Sequence, residues 1–141
     1  CLAGGLGSNS TLLKIDLSSC SLGDDGVTTV AQTLGSRNTT LQKLTLNNNN
    51  ITSTGVGALL EAMGRSSHIT DLELDRSHNN IGDEGANLLA RSLGDNALPS
   101  LTRLSLSFCN IGDDGFIALV SALEQNTSLL QLDLRSYHDY G

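Results

Sequence analysis

Three carboxylates alternate along one short segment: Asp71, Glu73 and Asp75. In an extended strand, residues two apart point to the same side and stand about 6.6–6.8 Å from one another. Carboxylates so placed can hold a cationic group of a partner. They cannot converge on a single metal ion without ligands from other elements, so no metal is expected. The copies Gly23-Asp24-Asp25-Gly26, Gly82-Asp83-Glu84-Gly85 and Gly112-Asp113-Asp114-Gly115 look like fragments of calcium loops, but lack the remaining ligands and the terminal bidentate Glu. Gly55-Val56-Gly57 is not followed by the third glycine of a dinucleotide fingerprint. His68, His78 and His138 have no Ser, Cys or carboxylate arrangement that would make a catalytic triad. The chain reads as a non-enzymatic protein that uses no cofactor.

What positions the carboxylates is a repeat. The spacing Leu-x-x-Leu-x-Leu recurs as Leu12/Ile15/Leu17, Leu41/Leu44/Leu46, Ile69/Leu72/Leu74, Leu101/Leu104/Leu106 and Leu129/Leu132/Leu134. The units start at 12, 41, 69, 101 and 129, so successive lengths are 29, 28, 32 and 28 residues. Within each unit the last two apolar residues alternate with polar ones, the period of a strand with one buried face. A Cys or Asn follows (Cys20, Asn49, Asn79, Cys109), then Leu22, Ile51, Ile81 or Ile111. Gly26, Gly55, Gly85 and Gly115 come next, each with apolar residues four and eight places on, as in a helix with one buried stripe. Asp24, Ser53, Asp83 and Asp113 read as N-caps of these helices, and Gly35, Gly64 and Gly94 as their stops. Each helix returns the chain to the same end of the sheet, so the strands are parallel and the crossovers right-handed.

Composition agrees. Aromatic residues are 3% of the 141 and Trp is absent, so the core must be built from many similar aliphatic layers. Eight Lys+Arg stand against 15 Asp+Glu, a formal net charge of −7. That balance offers no attraction to phosphate backbones or anionic lipid, which argues against nucleic acid and membrane as partners. No apolar run is long enough to cross a bilayer, and Cys1-Leu2-Ala3-Gly4-Gly5 shows neither the charged nor the apolar part of a signal peptide.

With Asn110-Ile111-Gly112-Asp113-Asp114-Gly115 and its copies, and the entry Asn126-Thr127-Ser128-Leu129, the chain resembles the leucine-rich repeat proteins of the ribonuclease-inhibitor type. The resemblance covers nearly the whole chain. It implies an α/β solenoid, a segment of a horseshoe, with about five parallel strands on the concave face and helices on the convex face. Function is left open, because the subclass includes ribonuclease inhibitors, RanGAP-like GTPase activators, NOD-like receptor sensors and actin-pointed-end proteins. Strands stack about 4.8 Å apart while helix axes need roughly 8–10 Å, so the array must bend with its helices outside.

On the concave face the polar residues form three columns: Lys14, Lys43, Asp71, Arg103, Gln131; Asp16, Thr45, Glu73, Ser105, Asp133; and Ser18, Asn47, Asp75, Ser107, Arg135. Lys43 and Arg103 flank the carboxylate strand. The third unit carries an insertion that should bulge Arg76-Ser77-His78 from the rim, and its return loop is longer and holds the single proline, Pro99. Phe108 follows at the rim as an aromatic anchor. The expected partner-binding surface is therefore Lys43, Asp71, Glu73, Asp75, Arg76, His78, Arg103, Phe108, Asp133 and Arg135. It suits a protein with a basic or mixed-charge surface.

Cys20 and Cys109 are expected in the buried turn column, three units and roughly 14 Å apart, too far for a disulfide. Unpaired cysteines in structural positions suggest a reducing, cytoplasmic setting. The sequons at Asn9, Asn38, Asn50 and Asn126 read as turn chemistry, three of them at the same return turn. The organisation is one domain over residues 1–141. The tail of a preceding repeat spans 1–11, full repeats start at 12, 41, 69 and 101, and a partial repeat spans 129–141. No polar capping unit is visible at either end, as expected of a segment of a longer protein, with self-association through the open ends as the other explanation. Two function classes follow. One is a protein-interaction module, such as the sensor or scaffold part of an intracellular signalling or immune-type protein. The other is a regulator of a partner enzyme, a GTPase activator or a ribonuclease-type inhibitor.

Overall fold

The computed structural model describes residues 2–36, 40–65, 68–75 and 78–136. Helices and strands alternate along it: α1 (Leu2–Ser8), β1 (Lys14–Asp16), α2 (Gly23–Ser36), β2 (Lys43–Thr45), α3 (Ser53–Arg65), β3 (Asp71–Glu73), α4 (Gly82–Gly94), β4 (Arg103–Ser105), α5 (Asp113–Ala122) and β5 (Gln131–Asp133). The five strands form one parallel sheet in chain order. Their register puts Lys14, Lys43, Asp71, Arg103 and Gln131 in one row, and Asp16, Thr45, Glu73, Ser105 and Asp133 in another. These are the first two columns read from the repeat. Each described helix packs on the helix before and after it and each strand on its neighbouring strands, the signature of a solenoid.

The core is the stack of aliphatic layers that the spacing demands. Leu44, Leu72 and Leu104 fill the middle strands, with Leu41, Leu46, Leu74, Leu101 and Leu106 beside them, all buried. From the helices come Val27, Val30 and Leu34; Val56, Leu59 and Met63; Ala86, Leu89 and Leu93; and Leu119. The outer units are less covered. Leu12 and Leu13 in the first full repeat, and Phe116, Ile117, Val120, Leu123 and Leu130 in the last two units, are exposed.

The turn between strand and helix is tied together by side chains reaching across repeats. Asn79 accepts the N–H groups of Asn49 (2.9 Å) and Ile51 (3.0 Å) and donates to the carbonyls of Leu46 (2.9 Å) and Leu74 (3.1 Å). Asn49 repeats the arrangement one unit earlier, accepting from Cys20 (2.9 Å) and Leu22 (3.3 Å) and donating to Leu17 (2.8 Å). Cys109 fills the column with a thiol that donates to the Leu74 carbonyl at 2.8 Å. Burial pushes this thiol up to about 12, with Asp75 adding to the effect, so it stays protonated and keeps its donor. Cys20 differs from expectation: it is exposed, because it lies in the first full repeat, where no earlier turn covers it.

The helix starts also correct a local reading. Asp24 does not cap α2. Its Oδ1 accepts the N–H groups of Thr52 (2.8 Å) and Gly55 (3.0 Å), at the start of α3. Asp83 serves α5 in the same way, through Gly112 (2.8 Å) and Gly115 (2.9 Å). The cap is therefore supplied by the preceding repeat. It explains the glycines: a Cβ at Gly55 would stand 2.6 Å from Asp24 Oδ1, and one at Gly115 2.6 Å from Asp83 Oδ1.

Replacing Asn79 by Ala strands two buried N–H donors in the neighbouring turn. It should cost about 2–4 kcal/mol, read as a lower urea midpoint, whereas Cys20→Ala should stay within about 0.5 kcal/mol. Equal losses for the two would refute the turn ladder as a principal support.

Candidate functional site

The strand layer brings most of the expected residues to one surface. Lys43 Nζ lies 2.5 Å from Glu73 Oε1, an ion pair between β2 and β3. Glu73 Oε2 also accepts the Asn47 side-chain amide at 3.4 Å. Arg103 and Asp71 approach loosely between β4 and β3, at 3.9 Å. Asp133 is gripped by Arg135, whose Nη2 stands 2.7 Å from Oδ2 and whose Nε is 3.0 Å from Oδ1. That guanidinium is the main reason the Asp133 carboxyl sits below its ordinary pKa. Asp16, on the first strand, is lowered chiefly by the Ser18 hydroxyl.

These pairs change the electrostatic picture of a bare carboxylate row. The cations stand outermost: the side chain of Arg103 is 57% exposed against 23% for Asp71, and that of Arg135 is 72% exposed against 20% for Asp133. A groove of about 240 Å³ runs between them, floored by Leu72 and Leu104 and walled by Asp71, Glu73, Arg103 and Asp133. A larger hollow, about 420 Å³, lies where β5 and α5 part at the open end, next to Phe116 and Leu134. The groove, not the hollow, holds the charged cluster.

Asp75 has a different employment. Its Oδ1 accepts the Ser105 hydroxyl (2.6 Å) and the Ser107 N–H (2.8 Å), while its own N–H donates to Asn47 Oδ1 (2.7 Å). The third column thus consists largely of staples between strand ends, and Ser107 is buried rather than facing a partner. Sequence reasoning put Asp75 in line with Asp71 and Glu73 because strand alternation cannot tell where the strand ends. The signal that could have separated it is the shape of the repeat: two residues past the strand, backbone N–H groups lose their ladder partners and need side-chain acceptors.

At the rim, His78 is exposed and Phe108 half-buried; Arg76 lies outside the described residues, as do Tyr137, His138 and Tyr140. Phe108 has φ +63°, a left-handed conformation shared with Ser19 (+57°) and Asn48 (+59°) at the equivalent positions. Ser and Asn suit that conformation, whereas a bulky ring in it is an outlier of the kind that gathers at functional positions. The turn readings of two sequons are seen directly. Asn9 Oδ1 accepts from Thr11 and Leu12, and Asn126 Oδ1 from Ser128 and Leu129. Among the described residues no three His, Cys, Asp or Glu side chains gather as a metal-holding group, and no helix is long and apolar enough to cross a membrane.

A one-dimensional stack of strand–helix units whose varied side chains line one face defines a repeat-built binding scaffold. A sequence profile described as Leucine Rich repeat matches residues 8–31, 37–60, 65–90 and 97–120, and the chain belongs to that family. Among solved structures its fold is similar to the tropomodulin C-terminal domain of Caenorhabditis elegans. The TM-score is 0.76 at 17% identity, covering 97% of this chain and 82% of that one. It is likewise similar to the actin-binding site 2 of leiomodin-1, with a TM-score of 0.75 at 22% identity, over 89% of this chain and 71% of that one. No curated protein matches the chain.

Two measurements test the site's anatomy. Phe108→Asn should leave stability within about 1 kcal/mol, because relieved left-handed strain offsets the lost ring contacts; a drop of several kcal/mol in urea unfolding would make the ring a core residue. For Asp133, the folded pKa lies below the unfolded one. Its stabilising contribution is therefore present above the ordinary carboxylate range and lost as pH falls through the folded value. Arg135→Ala should move the Asp133 carboxyl midpoint upward in an NMR titration, and an unmoved midpoint would assign the lowering to something other than the guanidinium.

Proposed function

We propose that this chain is a non-enzymatic protein-interaction module whose partner lies in the concave groove and against its rim, touching Lys43, Asp71, Glu73, Arg103, Phe108, His78, Asp133 and Arg135. Arg76 is proposed as a further rim contact on sequence grounds, and Asp75 is proposed to act from beneath, by holding the strand ends that present the others. The observation that carries the reading is the set of partly exposed ion pairs around the groove, two of them joining neighbouring strands. Exposed pairs contribute only about 0–1 kcal/mol each to a fold. A partner can exchange them for its own charges at little cost in stability, and alternating cations and carboxylates fit a mixed-charge protein surface.

Within this reading the chain serves as the sensor or scaffold part of a larger intracellular signalling protein, in line with its resemblance to the ribonuclease-inhibitor subclass. Actin is a definite first candidate to test, since the leiomodin-1 domain of similar fold is named as an actin-binding site. Regulation of a partner enzyme is the alternative, supported by the same subclass resemblance.

The test is capture from source lysate by the unaltered chain, by an Asp71→Lys/Glu73→Lys/Arg103→Glu variant that keeps Asp75, and by a convex-face control, Thr54→Lys/Glu84→Lys. Actin co-sedimentation runs in parallel. The expected result is a partner kept by the control and reduced at least tenfold by the groove variant, with circular dichroism unchanged. Equal capture by all three would move binding off the concave face. Acceleration or inhibition of a captured enzyme would favour the regulator.

A further inference from the structure

The repeats are not joined alike. Between the first and second full repeats, Asp24 holds the start of α3, and the Gly23 N–H reaches forward to the Asn49 carbonyl at 2.8 Å. Between the third and fourth, Asp83 holds the start of α5, and the Gly82 N–H reaches forward to the Cys109 carbonyl at 3.1 Å. Gly23 and Gly82 turn their N–H groups that way through left-handed φ values of +60° and +63°. Thr52 and Gly112, at the same place in the intervening repeats, point theirs backward to the aspartates. The direction of the helix-entry peptide therefore alternates along the chain.

The junction between α3 and α4 has neither device. Ser53 occupies the position of Asp24 and Asp83, and its backbone lies 3.5 Å from where a Cβ on Gly85 would stand. Yet its side chain makes no hydrogen bond among the described residues, and the Gly85 N–H turns instead to its own Ile81 carbonyl at 3.2 Å. Correspondingly, α3 packs less extensively on α4 than α2 does on α3 or α4 on α5. The strand side of the same junction is intact. β2 and β3 pair in register, and Asn79 and Asp75 both bond back to the second repeat. The strand layer is hydrogen-bonded across this junction, whereas the helix layer is held by apolar packing without the carboxylate staple.

We infer that the array is built from two rigid blocks, β1 to α3 and β3 to α5, hinged along the β2–β3 strands. The curvature of the concave face is set at the α3–α4 seam. Only the helix layer opens or closes there, which widens or narrows the face on which Lys43 and Glu73 meet across the hinge line. A ligand bridging the two blocks would thus be coupled to the curvature of the array. The hinge itself stands independently of whether the groove binds a protein.

Equivalent exposed positions Asp25, Thr54, Glu84 and Asp114 begin the four helices and allow a matched test on the full chain with Cys1 and Cys20 replaced by Ser. Nitroxide pairs at 25/54 and 84/114 report within a block, and the pair at 54/84 reports across the seam. Their dipolar spectra should show a broad distance distribution for 54/84 and narrow ones for the other two. Adding Ser53→Asp, which offers the Gly85 N–H the carboxylate that Asp24 offers Gly55, should narrow 54/84. Asp83→Ser, which removes such a carboxylate, should broaden 84/114, so the proposal is testable even where one variant folds poorly. Equal widths for all three pairs would overturn it, as would a 54/84 distribution that Ser53→Asp leaves unchanged together with an 84/114 distribution that Asp83→Ser leaves unchanged.

Discussion

The fold depends on one constraint: several backbone N–H groups of the strand-to-helix turns find their partners only in a neighbouring repeat. Buried N–H groups left unbonded cost about 1–3 kcal/mol each, and every turn brings several. Asn79 meets this demand for the second repeat with a single side chain that both accepts and donates. Asn49 does so for the first. An amide is the one small side chain with both functions at the needed separation. Cys109 can supply the donor, and burial keeps its proton on, but a thiol is a weak acceptor. Apolar layers give the stack its driving force. The amide ladder fixes its register, because a repeat shifted along its neighbour would leave these turns unpaired.

Periodicity made the architecture legible. The leucine spacing marked every strand, and the alternation after it placed Lys43, Asp71 and Arg103 in one row and Thr45, Glu73 and Ser105 in the next, as the register has them. It failed wherever the answer lay in a neighbouring repeat. Asp24 and Asp83 have the residue type and position of N-caps, so a local rule assigns them to their own helices, while the acceptors in fact serve the next helix along. Asp75 fits a strand face by alternation but sits past the strand's end, where staples are needed. Cys20 matches Cys109 in position and differs in burial, since exposure depends on what is stacked outside it. In each case local sequence describes the residue, and the stack decides its role.

The same division explains the candidate site. Residues that turn toward neighbouring backbone, such as Asn47, Asp75 and Asn79, are committed to holding the repeats together. Residues two positions away on the strands are not. Two of their charge pairs, Lys43–Glu73 and Arg103–Asp71, join neighbouring strands at partly exposed positions, where pairing contributes little to stability. The surface can therefore carry a different pattern of charges in each array at almost no structural cost, which is what a binding scaffold requires.

Phe108 marks where that freedom has been used against the fold's own preference. Ser19 and Asn48 show which residue types the left-handed rim position accepts without strain. An aromatic ring there must be maintained by something other than local conformation. The Phe108 N–H is fastened to the Arg135 carbonyl at 2.7 Å, so the backbone holds the strained geometry whatever side chain it carries. The ring stays half-buried at the strand-to-helix turn. Local conformation alone would favour Ser or Asn at this position, so the ring departs from the preference that its two equivalents follow.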